Sequence, residues 1–358
     1  MAVKSLKCLN CGADLLFSPA LQKWKCEWCD SEFNEKDLGA GATDDSGFET
    51  VQTSQTSEPL PFSKDEIKIY DCSYCGAEVV TDNVTSATFC VYCQRPLVLT
   101  TQLSGEFKPS VMIPFHNTKE QAMNIFKNYL KKKRFIPDDY KTDQNIEKLT
   151  GVYIPFWLYD GNVNFVVQGE GDIVSVRRSG DYRITRTDIY NIAREGQMQI
   201  DNIPVDASSR TPDDIMDSIE PFDFSKLDKF SSHYLSGFLA ERYDEDKDKL
   251  YNRAKIRFEG SAENKIKQSL KRYTRVRRKI DRKRIDNVKS KYGLLPVWLL
   301  YSNYKNKQYI YAMNGQTDKI TGNLPIDKLK VLKFWSIVFG ISTAIPLALS
   351  FLYYWLTF

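Results

Sequence analysis

Hydrophobic residues along this chain fall into three patterns, and each predicts a different kind of element. The simplest is terminal. Residues 334–358 carry no charge at all. At 1.5 Å per residue, a helix over this run would be about 37 Å long, enough to cross a hydrocarbon core of about 30 Å. Aromatics stand at both ends (Phe334, Trp335; Tyr353, Tyr354, Trp355), as they do at membrane interfaces. Pro346 would kink such a helix, which membrane spans tolerate. Lys328, Lys330 and Lys333 precede the run and no charge follows it. Because positive flanks stay inside, the pattern predicts a single-pass tail anchor in the cell membrane, with the N-terminal bulk in the cytoplasm.

The second pattern is hydrophobe, proline, hydrophobe. It occurs at Met112-Ile113-Pro114-Phe115, at Tyr153-Ile154-Pro155-Phe156-Trp157-Leu158-Tyr159 and at Leu294-Leu295-Pro296-Val297-Trp298-Leu299-Leu300-Tyr301. The last two look like an internal repeat, and each is followed by alternating runs that read as strands. One set spans 162–168 and 172–178, with a turn expected at 169–171. The other spans 308–313 and 319–322, with Asn314-Gly315 as the turn. Proline inside these runs predicts edge strands or strand starts, because proline cannot donate to a ladder. Their aromatics read as core packing rather than a ligand box. The third pattern has helical spacing. It predicts a helix over 118–132, with Thr118 as its cap, and another over 225–242, from Leu227, Phe230, Tyr234, Leu235, Phe238 and Leu239.

Cysteine usage changes the picture most. All eight cysteines fall in the first 93 residues of 358, in two sets: Cys8, Cys11, Cys26 and Cys29, then Cys72, Cys75, Cys90 and Cys93. Each member of the second set lies 64 residues after its counterpart. The neighbours repeat as well: Cys11-Gly12-Ala13-Asp14 matches Cys75-Gly76-Ala77-Glu78, and Trp28 and Tyr92 occupy the same slot. Two residues between cysteines let one tight turn aim both sulfurs at one ion. Fourteen residues between pairs allow a short hairpin to bring the second turn back, which completes a tetrahedral sulfur site. In a reducing cytoplasm the thiols are metal ligands rather than disulfides. The spacing predicts two structural Zn2+ ions; a rubredoxin-like iron site shares the geometry. Ribbon one carries no net charge, and residues 70–96 carry −2. Neither has the basic face a phosphate backbone requires, so protein contact or scaffolding is the better reading.

The predicted organisation is α+β: a zinc ribbon over 1–33, a flexible Gly/Ser/Thr/Asp/Glu-rich linker over 34–66, and a second ribbon over 67–104. A central α+β domain with antiparallel strands follows over 105–330, and one C-terminal transmembrane helix over 334–358. With 42% hydrophobic and 13% aromatic residues, a wholly disordered chain is excluded.

Charge is uneven. The chain is +4 overall, yet residues 265–291 hold thirteen Lys and Arg against Asp281 and Asp286. Ile266, Leu270, Tyr273, Val276 and Ile280 fit one helical face, and from Thr274 the pattern also fits a strand. Either way a cationic side is expected, with Lys271, Arg272, Arg275, Arg277, Arg278, Lys279, Arg282, Lys283 and Arg284 as candidate contacts to anionic lipid or, second, to nucleic acid. A solvated face or a site for an acidic protein is the bland alternative.

Candidate catalytic chemistry is thin. Two histidines, His116 and His233, cannot build a multi-histidine metal site. No phosphate loop, nucleophile elbow or dinucleotide motif occurs. Asp244, Asp246 and Asp248 begin like a calcium loop, but Lys249 and Lys255 stand where Gly and Glu are needed. A non-enzymatic protein is expected.

Several segments together resemble a known bacterial family. They are the duplicated Cys-x-x-Cys-Gly-Ala ribbon; Gly151-Val152-Tyr153-Ile154-Pro155-Phe156-Trp157-Leu158; Tyr234-Leu235-Ser236-Gly237-Phe238-Leu239-Ala240-Glu241-Arg242-Tyr243-Asp244; and Leu294-Leu295-Pro296-Val297-Trp298 followed by Met313-Asn314-Gly315-Gln316-Thr317. The chain resembles the TFIIB-type zinc-ribbon membrane proteins (YdjG-like, loosely called primosomal protein N′-like), over most of its length. The resemblance implies ribbons on a membrane anchor that recruit partners, with PspA-type or SPFH-type envelope-stress proteins as candidates. It supplies no catalytic residues. The expected function is a membrane-anchored adaptor; the alternative is a membrane-tethered nucleic-acid binder linked to replication or transcription.

Overall fold

The computed structural model describes residues 7–13, 15–38, 67–72, 75–82, 90–92, 98–100, 109–142, 146, 148–235, 238–305 and 307–357. Most of the expected 34–66 linker therefore lies outside the described residues, as does Cys93.

The chain is α+β. A small three-stranded sheet is built from β1 (Leu15–Ser18), β2 (Lys23–Cys26) and β3 (Glu32–Phe33), with the short α1 (Glu35–Leu38) after it. Among the described residues, the remaining strands join one mixed, mainly antiparallel sheet of eleven strands. Its axis is a pair of very long strands, β8 (Thr150–Ser179) and β12 (Arg275–Tyr304), antiparallel over nearly their whole length. β9 (Tyr182–Asp206) returns along β8 as a hairpin. At the base the sheet widens. β7 (Val111–Met112) and β13 (Lys307–Asn314) flank β12, with β10 (Asp228–Lys229) and β14 (Ile320–Gly322) beyond them. On the other side β11 (Leu239–Glu241) joins β8 to β5 (Glu78–Asp82), β4 (Ile67–Asp71) and β6 (Val98–Thr100).

The base of the sheet is buried on both faces, which is why its strands read as unbroken apolar runs. On one face Tyr153, Trp157, Tyr292, Leu294 and Trp298 pack beneath α2 (Lys119–Lys132), α4 (Lys247–Ser269) and the first cysteine ribbon. On the other, Ile154, Phe156, Leu158, Leu295 and Val297 pack against α3 (Asp213–Ile219) and the second ribbon. α2 begins as expected: Thr118 caps it and exchanges hydrogen bonds with Gln121 in a capping box. α4 sets Leu250, Ala254, Phe258, Ala262 and Ile266, spaced four residues apart, in one stripe against the long strands.

Three expectations are corrected. The helix over 225–242 is instead two 3-10 turns, Phe224–Lys226 and Ser232–Leu235, with β10 and β11. Its apolar residues do not share a face: Tyr234, Leu235 and Phe238 serve one core and Leu239 the other. The turn at 169–171 is absent, since β8 runs straight through it and turns only after Ser179, at Gly180. Those glycines permit close approach, because a Cβ at Gly169 would meet the Arg277 carbonyl at 2.0 Å and one at Gly171 the Tyr273 ring at 2.6 Å.

The third correction concerns proline. β8 and β12 are interior strands, not edges, and the prolines mark where each strand changes neighbour. Along one side of β8, β11 pairs at Val152 and Tyr153, and β9 pairs from Phe156 onward. Pro155 sits between them, accepting from Ala207 N–H at 2.9 Å with no N–H to return. Along the outer side of β12, β7 pairs at Gly293 and Leu294, and β13 pairs from Val297. Pro296 fills that gap and accepts from Gly315 N–H at 2.9 Å. A residue without a donor fits where no ladder bond is demanded.

Beyond the base, β8, β9 and β12 continue as an arm lined by α4, with Val167, Ile192, Ile266 and Leu270 as its own small core. At about 3.3 Å per residue the thirty residues of β8 follow a contour of about 100 Å. The chain closes in α5 (Lys328–Thr357).

Candidate metal centres and the seat of the second ribbon

Both cysteine sets form clusters. The sulfurs of Cys8, Cys11, Cys26 and Cys29 lie within 4.8 Å of one another, and so do those of Cys72, Cys75 and Cys90. In the first, Cys8 Sγ to Cys29 Sγ is 3.5 Å and Cys11 Sγ to Cys26 Sγ is 3.4 Å. In the second, Cys75 Sγ to Cys90 Sγ is 3.5 Å. A tetrahedron with metal–sulfur bonds of about 2.3 Å has edges of about 3.8 Å, so four such thiols surround a space the size of one ion.

The turns that aim them are repeated. Gly12 N–H donates to the Cys8 carbonyl at 2.9 Å and Gly76 N–H to the Cys72 carbonyl at 2.8 Å. Asp30 N–H does the same to Cys26 at 3.0 Å. Gly12, Gly76 and Asp30 all take the left-handed backbone, with φ of 74°, 70° and 54°. Hydrogen bonds from the Ser31 hydroxyl and backbone draw Cys29 down to about 6, while, against the Ala13 backbone, the neighbouring Cys26, Cys29 and Cys8 thiols push Cys11 up. These residues could hold one metal ion per cluster, with Cys93 the expected fourth ligand of the second.

The duplicated ribbons sit differently. The second is welded into the large sheet, where β5 pairs with β11 at Val79↔Glu241 and Val80↔Ala240. Tyr92, in its knuckle, is only 7% exposed. Its ring meets Tyr301 edge-on at 5.2 Å and its hydroxyl donates to the buried Glu241 carboxylate. Ser208 Oγ donates to the same carboxylate at 2.8 Å and Arg210 Nη1 at 3.0 Å. Arg210 Nη2 reaches across to the Gly76 carbonyl, inside the other knuckle, at 2.8 Å. Arg242 pairs with Glu78 at 2.9 Å. Burial pushes Glu241 and Tyr92 up, and the surrounding donors offset this for Glu241. Glu241 and Arg210 were not singled out from sequence as site residues. The available signal was a lone carboxylate in the apolar Leu239-Ala240-Glu241 run.

The first ribbon keeps its own sheet and touches the base by side chains. Phe17, Trp24 and Tyr234 form a ring cluster with centroids 4.9 to 5.4 Å apart, and Gln22 Nε2 donates to the Phe115 carbonyl at 2.8 Å. Its knuckles face outward. Trp28, in the slot that Tyr92 fills, is 85% exposed, and Leu9 in the facing knuckle is 67% exposed.

The basic stretch is neither one helix nor one cationic face. α4 ends at Ser269 and β12 begins at Arg275, so alternate cations point to opposite faces. Arg278 and Lys283 turn toward α4 and pair with Glu263 at 2.8 and 3.2 Å. Arg277 joins Asp172 at 2.7 Å, Lys279 joins Glu170 at 2.7 Å and Arg284 joins Asp286 at 2.7 Å. Arg272 lies over the rings of Tyr273 and Tyr190. Among the described residues Lys271, Arg275 and Arg282 have no ion pair. The stretch also lies far from the terminal helix: Arg284 is about 65 Å of strand away from Tyr304, at about 3.3 Å per residue.

That helix is long and apolar enough to cross a membrane: its most apolar stretch of 18 residues has a mean hydropathy of 1.7, and no residue of that stretch is buried. Cysteine clusters that could bind metal and an apolar terminal helix define the class. Over 336 residues, covering 94% of both chains, the sequence is 33% identical to the uncharacterized protein YdjG of Bacillus subtilis (strain 168). The chain belongs to the YdjG family. No family model matches it, the TFIIB-type ribbon class included. No solved structure matches it.

Proposed function

We propose that this protein is a non-enzymatic, membrane-anchored adaptor that binds two Zn2+ and presents its first ribbon to protein partners at the cytoplasmic face. The observation that carries the reading is the contrast between equivalent knuckles. The second knuckle buries its aromatic residue against a receptor in the same chain, and the first displays Trp28 and Leu9 to solvent. An exposed tryptophan on one knuckle, with an exposed leucine on the other knuckle of the same cluster, is a typical centre for protein association. The terminal helix would fix the molecule in the membrane, and the lysines before it favour a cytoplasmic bulk. PspA-type or SPFH-type proteins are the first candidates to test. Nucleic-acid binding is the weaker reading, because five of the nine candidate cations are already paired with carboxylates of the same chain.

The test places a photo-reactive phenylalanine at position 28 in the full-length, membrane-embedded protein. A discrete adduct with one defined protein, lost when Cys8 and Cys11 become serine, is the expected result. No adduct, or one unchanged by the cysteine substitutions, would remove the adaptor reading.

A further inference from the structure

The root of the terminal helix forms a pocket of its own. Asp327 N–H donates to the Phe135 carbonyl at 2.8 Å, Phe334 stacks edge-on against Phe135 at 5.4 Å, and Lys330 Nζ donates to the Ile136 carbonyl at 2.9 Å. These contacts clamp the helix start to the segment after α2. Between the clamp and the β12–β13 turn lies a cavity of about 490 Å³, into which Lys305, Lys307 and Lys328 all face.

Three carboxylates also line it, and each is engaged inside the protein. Asp138 pairs with Lys330 at 2.6 Å, Asp139 accepts from the Tyr304 hydroxyl at 2.9 Å, and Asp327 caps α5 through Leu329 N–H at 2.9 Å. No ion pair, among the described residues, engages Lys305, Lys307 or Lys328. Lys305 is held at the turn by a left-handed backbone, φ 49°, over the Tyr304 ring. Lys305 is held by the Tyr304 hydroxyl and drawn by Asp139 and Asp327, whereas Lys307 and Lys328 line the cavity with no ion pair among the described residues. Beside it Ile326, Leu329 and Leu332 are exposed, on the side from which the apolar helix departs.

We infer that this pocket binds the phosphate of an anionic phospholipid headgroup in the leaflet that α5 enters. The inference rests on reading α5 as a membrane span. Cationic pockets at the head of a span suit anionic headgroups, and the exposed apolar residues beside the pocket suit the acyl chains that a free phosphate lacks. The site is distinct from the candidate lipid contacts of the basic stretch, which lie at the far end of β12.

The test uses the full-length protein in micelles holding equal amounts of phosphatidylglycerol and phosphatidylcholine, with retained lipid counted by native mass spectrometry. Wild type should retain phosphatidylglycerol in about tenfold excess. Lys305→Gln with Lys307→Gln, both outside the helix, should bring the ratio close to one, whereas Arg275→Gln with Arg282→Gln should leave it unchanged. Equal retention by wild type, an excess that survives the Lys substitutions, or an excess lost with the Arg pair would overturn the site. So would full displacement of the lipid by inorganic phosphate. A carbonate wash separates the two ideas. Protein that washes out of membranes ends the anchor reading and the site with it; protein that stays but shows no lipid preference ends the site alone.

Discussion

The two cysteine ribbons have the same spacing, the same left-handed glycine and an aromatic residue in the same slot, yet they have opposite surroundings. Tyr92 is sealed between Tyr301 and Glu241 and its hairpin extends the large sheet. Trp28 stands in solvent, and its hairpin touches the base through side chains, Phe17, Trp24 and Gln22 among them. The repeated cysteine unit thus occurs once as a copy that completes a core and once as a copy whose knuckles remain available. A metal in the second cluster would hold a knuckle onto eleven strands; a metal in the first would hold only its own three.

Substitutions can break this contrast, and their sizes should rank accordingly. The largest effect belongs to Cys72→Ser with Cys75→Ser. Metal binding in such sites is folding free energy, so the melting temperature of the whole base should fall by on the order of 10 °C. Cys8→Ser with Cys11→Ser should lower it by only about 3 °C, both read by differential scanning calorimetry. Similar shifts for the two pairs would erase the distinction.

Glu241→Ala comes next. It removes the carboxylate that Tyr92, Ser208 and Arg210 all meet and leaves Arg210 half-buried without that partner. A loss of about 2 to 3 kcal/mol is expected by denaturant unfolding, somewhat below the cost of breaking a fully buried pair because Arg210 retains solvent contact. Tyr92→Phe keeps the ring and removes one hydroxyl bond, so about 1 kcal/mol should be lost. Trp28→Ala should change stability by less than about 0.5 kcal/mol, as surface substitutions do. A larger loss would mean that Trp28 packs on the protein after all.

Much of this was legible in the sequence, for a physical reason. Ligand spacing is local, so Cys-x-x-Cys pairs fourteen residues apart, and the 64-residue offset, state the clusters directly. The capped helix at Thr118, the Asn314-Gly315 turn and the long apolar terminus are local too. What was not legible depends on distant partners. Nothing near Trp28 or Tyr92 says which is buried, because the seat is made by Glu241 and Tyr301, far along the chain. Pro155 and Pro296 suggested edges because proline lacks a donor. The gap that accommodates each of them exists only once β11, β9, β7 and β13 have arrived. The 225–242 segment matched a helical period while feeding two opposite cores, a pattern that periodicity alone does not resolve. The basic stretch looked like one surface because its carboxylate partners, Glu170, Asp172 and Glu263, are contributed by β8 and α4.

The most direct test titrates the full-length protein with a chelator while following released zinc and the near-ultraviolet dichroism of the base together. Two zinc ions per chain should leave in sequence. The first should depart with little change in the base signal, and the second should depart only as that signal collapses. Release of both ions with the base intact, loss of the base with the first ion, or a protein that carries no zinc would contradict the division between a displayed ribbon and a built-in one.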